Sequence, residues 1–382
     1  MSWKIPLFAI YQDEEDTKMV NETIKRGAYW ACGPDVATFE RMISEYIGAR
    51  YCLTFNSGTS ALHAILLAYG IGPGDEVIVP SFTFIATANA PLFVGARPVF
   101  AEIEEETYGL DPEDVKSRIT SKTKAIIPVH YGGCPCHIRE LRAIADAHHL
   151  ILIEDAAEAF GARIGDRKAG TFGQSAILSF CQNKIITTGE GGAIVTDSEE
   201  VYNKLKLIRS HGRMDAADYF SSTETMDYVT LGYNFRLSDI SAALGIAQIK
   251  KVDRIIEMRR RNAEYMSKIL SEIEAVEIPE IPEDYFHVYQ MYSIRVKKGR
   301  GARDRLKAYL AGKGIMTKVN FSPVHLTRFY REKFGYEQGE LPVTEKISDQ
   351  VLTLPMYPTL EKEEIDYICM HVKAFFTKVH DH

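Results

Sequence analysis

Tyr51-Cys52-Leu53-Thr54-Phe55-Asn56-Ser57-Gly58-Thr59-Ser60 is the stretch on which the architecture turns. Five residues of β-rich sequence run into Asn-Ser-Gly, and from Thr59 an apolar helical pattern continues to Tyr69. The same alternation then repeats. Short β-rich runs fall at 77–79, 98–101, 125–129, 150–153, 176–180 and 193–196, and helical patterns at 111–119 and 138–148 separate several of them. The runs are continuously apolar, as strands buried on both faces must be. Strands alternating with helices imply a mainly parallel sheet with helices on both sides. The fold class is therefore α/β, built on a three-layer αβα large domain. In such sheets ligands collect at the carboxyl ends of the strands.

Outward from that core, residues 15–26 carry charges at helical spacing, and Gly27 ends the helix. Gly33-Pro34-Asp35 opens a second helix over 36–47, with Val36, Phe39, Ile43 and Ile47 on one face. The uncharged stretch 77–96 is long enough to raise a membrane span. Pro80, Ser81, Thr83, Thr87, Asn89 and Pro91 interrupt it, so it reads as a buried strand, a loop and a helix. After Thr196 the alternation stops. Residues 199–209 read as a helix, 211–230 as a long loop able to reach a partner, and 237–270 as one long helical stretch. Pro279 and Pro282 interrupt the chain; 288–296 reads as a strand, 302–313 as a helix, 319–325 as a loop and 361–378 as a terminal helix. This divides the chain into a large domain over 1–250 and a smaller α+β domain over 251–382.

With 46% hydrophobic and 25% charged residues the composition is that of an ordinary globular protein. The net charge is −7, which argues against nucleic acid and anionic membrane as partners. A bound anion would have to be held locally, by amides and hydroxyls. The six cysteines are too sparse for a disulfide framework. Cys134-Pro135-Cys136-His137 has no second Cys/His pair at a matching spacing, so no metal site is expected. Reduced thiols, and an N-terminus without the basic and apolar segments of a signal peptide, place the protein in the cytoplasm as an expectation.

Four stretches lie at or just past strand ends. In Asn56-Ser57-Gly58-Thr59-Ser60, glycine lets a ligand approach the backbone, and free amides at a helix start bind anions. Simple N-capping by Ser57 or Thr59 is the alternative. In Pro80-Ser81-Phe82-Thr83-Phe84 an aromatic ring can stack on a flat ligand, or belong to the core. In Glu154-Asp155-Ala156-Ala157-Glu158-Ala159 a carboxylate ends a buried strand and needs a partner. Glu158 joins it if a helical turn begins there, and a helix-capping Asp155 is the competing reading. Last comes Ser179-Phe180-Cys181-Gln182-Asn183-Lys184-Ile185-Ile186-Thr187-Thr188-Gly189-Glu190-Gly191-Gly192, two strand ends joined by a glycine-rich turn. Its one lysine sits among uncharged neighbours. Lys184 either snorkels to the surface or serves as the amine that forms Schiff bases with carbonyls. A phosphate cradle, a stacking ring, a buried carboxylate and such a lysine together suit pyridoxal 5'-phosphate (PLP). That cofactor has a phosphate, a flat ring, a ring nitrogen and an aldehyde.

With these residues in place, the chain resembles the DegT-type sugar aminotransferases, which are fold-type I PLP enzymes. The resemblance runs nearly end to end. Its carriers are Gly33-Pro34, Asn56-Ser57-Gly58-Thr59-Ser60, Val79-Pro80-Ser81-Phe82-Thr83, Glu154-Asp155-Ala156-Ala157-Glu158-Ala159, Lys184 through Gly192, and Gly232-Tyr233-Asn234-Phe235-Arg236. Asn183 through Gly192, with Glu158, looks most like GDP-perosamine synthase-like nucleotide-sugar 4-aminotransferases.

The resemblance implies that Lys184 is the catalytic, Schiff-base lysine and that Asp155 pairs with the pyridinium nitrogen. It places Glu158 toward the ring hydroxyl, where many relatives have Gln, and Phe84 on the ring face. Gly58, Thr59 and Ser179 would hold the phosphate. Asn234 would reach a phosphate in the neighbouring subunit, which implies a homodimer with shared sites. The implied reaction moves an amino group from L-glutamate to a keto-sugar nucleotide, specifically a 4-keto-6-deoxy one, in two half-reactions. A 3-aminotransferase, a UDP- or dTDP-sugar enzyme and a non-catalytic PLP-binding regulator are the alternatives, although no DNA-binding basic helix is visible. Cys181 stands where many relatives carry His, and this leaves the sugar open. Relatives that dehydrate their substrate have His in place of the lysine, so Lys184 favours transamination. His211 and His325 are candidates for the sugar pocket; for each, a purely structural histidine is the alternative.

Overall fold

The computed structural model describes residues 3–214, 223 and 225–379. The main sheet contains β1 (Tyr51–Phe55), β2 (Glu76–Pro80), β3 (Arg97–Ala101), β4 (Thr123–Ile126) and β5 (Ile151–Asp155). After a small hairpin, β6 (Arg163–Ile164) and β7 (Arg167–Lys168), it is completed by β8 (Ser175–Ser179) and β9 (Gly192–Thr196). The seven strands lie in the order β1-β9-β8-β5-β4-β2-β3. β9 runs antiparallel to both of its neighbours, and the pairs from β8 across to β3 are parallel. The expected mainly parallel α/β sheet is thus present.

The helices of this half are α1 (Glu14–Lys25), α2 (Pro34–Ile47), α3 (Gly58–Ala68), α4 (Ile85–Phe93), α5 (Pro112–Arg118), α6 (Ile138–Ala147), α7 (Glu199–Arg209) and α8 (Asp239–Ile249). Because side chains alternate along a strand, each strand feeds two cores. Leu53, Phe55, Ile177 and Ile194 pack with α3, α4 and α7 on one face. Cys52, Ala176, Leu178, Ala193 and Val195 pack with α2 and α8 on the other. Farther along that second face, Ile78, Ile126 and Leu152 meet α5 and α6. The uncharged 77–96 stretch is β2, a loop and α4, and among the described residues no helix is long and apolar enough to cross a membrane.

A second core gathers around a three-stranded antiparallel sheet of β10 (Val276–Glu277), β12 (Tyr292–Val296) and β13 (Val351–Leu354); β11 (Tyr285–Phe286) pairs instead with β6. The long helix α9 (Val252–Leu270), α10 (Gly299–Gly312) and α13 (Lys362–Val379) cover it. Two short helices, α11 (Arg328–Phe334) and α12 (Pro342–Gln350), lie between α10 and β13. Ile5 from the N-terminal arm is buried in the same core. α9 serves both halves: Val252, Ile255 and Ile256 pack against α2 and α8, whereas Ala263, Met266 and Leu270 pack into the second core.

Two expectations change. The single helical stretch over 237–270 is two helices, broken at Lys250 and Lys251. At the break the Lys251 ammonium meets Asp13 at 2.5 Å and Asp16 at 2.6 Å, both from the capping box of α1. The strand expected over 288–296 begins only at Tyr292. Residues 288–291 instead lace onto a tight turn at Tyr131–Gly133, with Val288 N–H donating to Gly133 O and Met291 N–H to Gly132 O, both at 3.0 Å. Of the long loop expected over 211–230, residues 215–222 and 224 lie outside the described residues.

Candidate active site

The strand register collects the candidate residues at one edge of the sheet. Gly192 pairs with Phe55 on one side and Ser179 on the other, so the carboxyl ends of β1 and β8 meet the start of β9. Asp155, the last residue of β5, pairs with Ile177 of β8. Gly58 opens α3 directly after β1. Ser57 caps that helix, its Oγ accepting from Ser60 N–H at 3.0 Å. The Gly58 and Thr59 amides are left without an acceptor among the described residues. The capping alternative is realised for one amide, and the two amides left over are what an anion site at this helix start would use. A Cβ on Gly58 would stand 3.2 Å from the Ser179 Cβ, which brings the Ser179 hydroxyl beside those amides.

Asp155 is 4% exposed. Its Oδ2 accepts from the Thr87 hydroxyl at 2.7 Å and its Oδ1 from Ala157 N–H at 3.2 Å. Burial pushes its pKa up; the Thr87 and Ala157 hydrogen bonds and the charge of Lys184 oppose this, and Glu158 adds to it. No helix starts at Asp155, so it caps none, and the chain turns irregularly through 157 and 158. That turn still delivers Glu158 to the site. Glu158 Oε2 accepts from Gly132 N–H at 2.9 Å, and its Oε1 lies 3.4 Å from Lys184 Nζ. The Lys184 side chain is 13% exposed and does not snorkel to solvent. A lysine amine thus lies 3.4 Å from one buried carboxylate, Glu158, and its charge also acts on a second, Asp155, buried at a strand end.

Phe84 precedes α4 and is 61% exposed, so its ring belongs to no core. The loop that carries it is anchored through Ser81, whose Oγ lies 2.7 Å from His325 Nδ1 and whose carbonyl accepts from Val324 N–H at 2.9 Å. His325 is fully buried, its Nε2 3.3 Å from Glu345. It is a structural tie for this loop, and of the two readings of this histidine the geometry favours that one. His211 is exposed at φ +62° with its N–H on Tyr233 O, at the edge of the described residues. Asn234 is exposed, and its carbonyl accepts from Asn56 Nδ2 at 3.4 Å, next to the α3 start of its own chain. Cys181 is half-buried with Sγ 3.6 Å from Glu190; burial and that carboxylate push its thiol pKa up.

The sequence reading missed three contributors. Thr87 lies one turn into α4 from Phe84, a spacing that could have suggested it. Gly132 follows the end of β4 in a Gly-Gly pair, which is also a legible signal. Gln290, whose Nε2 donates to Asn183 O beside Lys184, sat inside a supposed strand and gave none.

These groups fit PLP on their own chemistry. Two free amides and a serine hydroxyl suit a phosphate dianion, a buried carboxylate suits a protonated ring nitrogen, and the exposed Phe84 ring is free to stack on a flat ligand. The cradle is tight. A Cβ on Gly192 would fall 2.5 Å from Ser57 O and 2.6 Å from Gly58 N. Gly192→Ala should therefore displace the Ser57–Gly58 peptide and its amide. We expect the apoenzyme to bind PLP about 10- to 100-fold more weakly, the worth of a hydrogen bond to a charged group. Pyridoxal, lacking the phosphate, should lose little. Equilibrium dialysis with both compounds checks this, and unchanged PLP affinity would remove the anion role from this loop.

Comparison with known proteins agrees with this geometry. A family model described as the DegT/DnrJ/EryC1/StrS aminotransferase family matches residues 11–373. The GDP-perosamine synthase of Escherichia coli O157:H7 is 35% identical over 373 residues, covering 98% of this chain and 99% of that protein. The spore coat polysaccharide biosynthesis protein SpsC of Bacillus subtilis is 34% identical, covering 98% and 96%. The PLP form of the sugar aminotransferase Spr1654 of Streptococcus pneumoniae, itself described as putative, superposes with a TM-score of 0.92 at 27% identity, covering 98% of this chain and 99% of that one.

Proposed function

The chain belongs to the DegT/DnrJ/EryC1/StrS aminotransferase family, and on that premise we propose that it transfers an amino group from L-glutamate to a 4-keto-6-deoxy nucleotide sugar. It is a PLP-dependent sugar aminotransferase. One observation carries the assignment of residues: Lys184 Nζ lies 3.4 Å from Glu158 beside the buried Asp155, at the strand ends that also present the α3 amides. PLP, when bound, supplies an electrophilic aldehyde carbon and a ring that withdraws electrons.

The chain's own groups do the rest. The Gly58 and Thr59 amides and the Ser179 hydroxyl would hold the phosphate. Asp155 would keep a proton on the ring nitrogen, and Phe84 would lie toward one ring face. Lys184 Nζ takes the proton from the amino donor's Cα and returns it on the far side of the transfer, as base and then acid. Glu158, fixed by Gly132 N–H, keeps that amine aimed. We further propose a homodimer in the cytoplasm, in which the exposed Asn234 reaches the neighbouring subunit's phosphate.

The acceptor class is supported by the similarity to GDP-perosamine synthase across nearly the whole chain. The test is a panel. Enzyme loaded with pyridoxamine phosphate is mixed with 4-keto and 3-keto sugars carrying GDP, UDP or dTDP, and the return of PLP absorbance is timed. The GDP-linked 4-keto-6-deoxy sugar should react fastest, by about tenfold or more in kcat/KM, a difference of about 1.4 kcal/mol. A 3-keto sugar, or a UDP or dTDP sugar, reacting faster would replace this acceptor. Failure of L-glutamate to reload the amine would replace the donor.

A further inference from the structure

The segment 288–291 makes no strand, and both members of the Lys184–Glu158 pair are braced from it. Gln290 is 5% exposed, and its Nε2 donates to the carbonyl of Asn183, the peptide that leads into Lys184. Met291 N–H donates to Gly132 O at 3.0 Å, and Gly132 N–H in turn donates to Glu158 at 2.9 Å. The contact is close as well as hydrogen-bonded. Gly133 has φ +100°, and a Cβ there would stand 3.0 Å from Gln290 N and 3.2 Å from Glu158 O.

The segment is itself held from behind. Arg259, buried in α9, gives its Nη1 to the carbonyls of Tyr289 at 3.1 Å, Gln290 at 3.4 Å and Met356 at 3.1 Å. Burial draws that guanidinium down to about 10, which marks how little water reaches it. A rigid chain of contacts thus runs from α9 through Gln290 to the peptide before Lys184. Among the described residues Gln290 Oε1 is buried with no partner of its own, so the side chain is not held there for its acceptor. Its work is the donor.

We propose that Gln290 is a positioning residue for the Lys184 amine, fixing the Asn183 peptide from the same segment that holds the Glu158 side of the pair. This rests on Lys184 being the reactive amine. Loss of the donor frees the 182–184 turn to rotate about a pair whose Nζ–Oε1 distance is already 3.4 Å. Misplacing a reacting group by about an ångström can cost about 100-fold. The phosphate cradle lies on other elements and should be untouched.

The test compares Gln290→Glu, which keeps the size and removes the donor, with Gln290→His, which can restore a donor at similar reach. For Gln290→Glu we expect kcat to fall about tenfold or more with KM within about threefold, the range for a lost positioning contact. PLP affinity should stay within about threefold. The visible circular dichroism of the bound cofactor should weaken, because it reports ring orientation. In the apoenzyme, capture of Lys184 by an aldehyde under borohydride, read by mass spectrometry, should slow. Gln290→His should recover part of each. Unchanged kcat and dichroism in a folded Gln290→Glu enzyme would overturn the proposal. So would equal losses in both variants with a matching fall in thermal midpoint, since that is plain packing. If Lys184→Ala retains the lysine-linked absorbance, the underlying assignment fails instead, and the two failures are distinguishable.

Discussion

The Lys184→Ala enzyme is expected to lose turnover by about 10⁴-fold, the upper end of what one positioned acid–base group contributes, and to lose the visible absorbance of lysine-linked PLP. Both effects follow from one atom. Lys184 Nζ is the amine next to Glu158, and its side chain is largely enclosed. Water has little access to take over the proton transfer. Alanine also removes the positive charge facing Glu158, so a second variant separates chemistry from charge. Lys184→Arg keeps a cation near Glu158, but a guanidinium stays protonated at working pH and cannot act as the base. It should be nearly as inactive as alanine while binding PLP within about tenfold of the native affinity through the phosphate and Asp155. Keto-acid formation from the amino donor measures the rate, and dialysis measures the cofactor. An arginine enzyme with a tenth or more of native turnover would show that charge alone suffices, and would sink the acid–base role.

How far this site could be read in advance depends on the range of the forces involved. The sheet was legible because burial on both faces leaves runs such as 150–153 and 176–178 without a polar residue. Asp155, Glu158, Lys184 and the α3 start stood out as candidates because ligands in such sheets collect just past strand ends. What failed was set by partners far away in sequence. At the helix break Lys251 meets Asp13 and Asp16, far away in sequence, and no glycine or proline over 246–254 marks it. Residues 288–291 carry strand-like side chains, yet the ladder they would join is replaced by the Tyr131–Gly133 turn. His325 sits between Pro323 and two aromatics, a setting that suits a ligand pocket as well as a core; its contacts with Ser81 and Glu345 show which it meets. Local pattern therefore pointed to Lys184, Glu158 and Asp155 as candidates, whereas contacts such as Gln290 with Asn183 became visible only in three dimensions.

Asp155→Asn should separate activity from stability in opposite directions. Asn can keep the local hydrogen bonds. Its Oδ1 can accept from Ala157 N–H, its Nδ2 can donate to Thr87 Oγ, and the Thr87 hydroxyl can turn toward Thr83 Oγ1, 3.0 Å away. What disappears is the charge. In the apoenzyme that charge is buried and costly, which is why the Asp155 pKa is raised above its ordinary value. The sign follows directly. A carboxyl whose folded pKa is raised contributes stability that is present in acid, below its unfolded pKa, and is lost as pH rises through the folded value. Apo Asp155→Asn should therefore melt above the native apoenzyme at neutral pH, and the gap should close as the pH is lowered below the ordinary carboxylate range. With PLP bound, a protonated ring nitrogen would give the carboxylate a cation of its own, and the advantage should shrink or reverse. Turnover should fall about 10²- to 10³-fold, as when a single preorganised electrostatic partner is removed. Melting curves of apo and loaded enzyme across pH, alongside kcat, read all three effects. Turnover within about threefold of native, with the cofactor shown to be bound, would detach Asp155 from the ring. An apo stability gap that widens toward acid would mean that Asp155 is held as a stabilising ion pair and not as a strand-end charge kept in readiness for its cation.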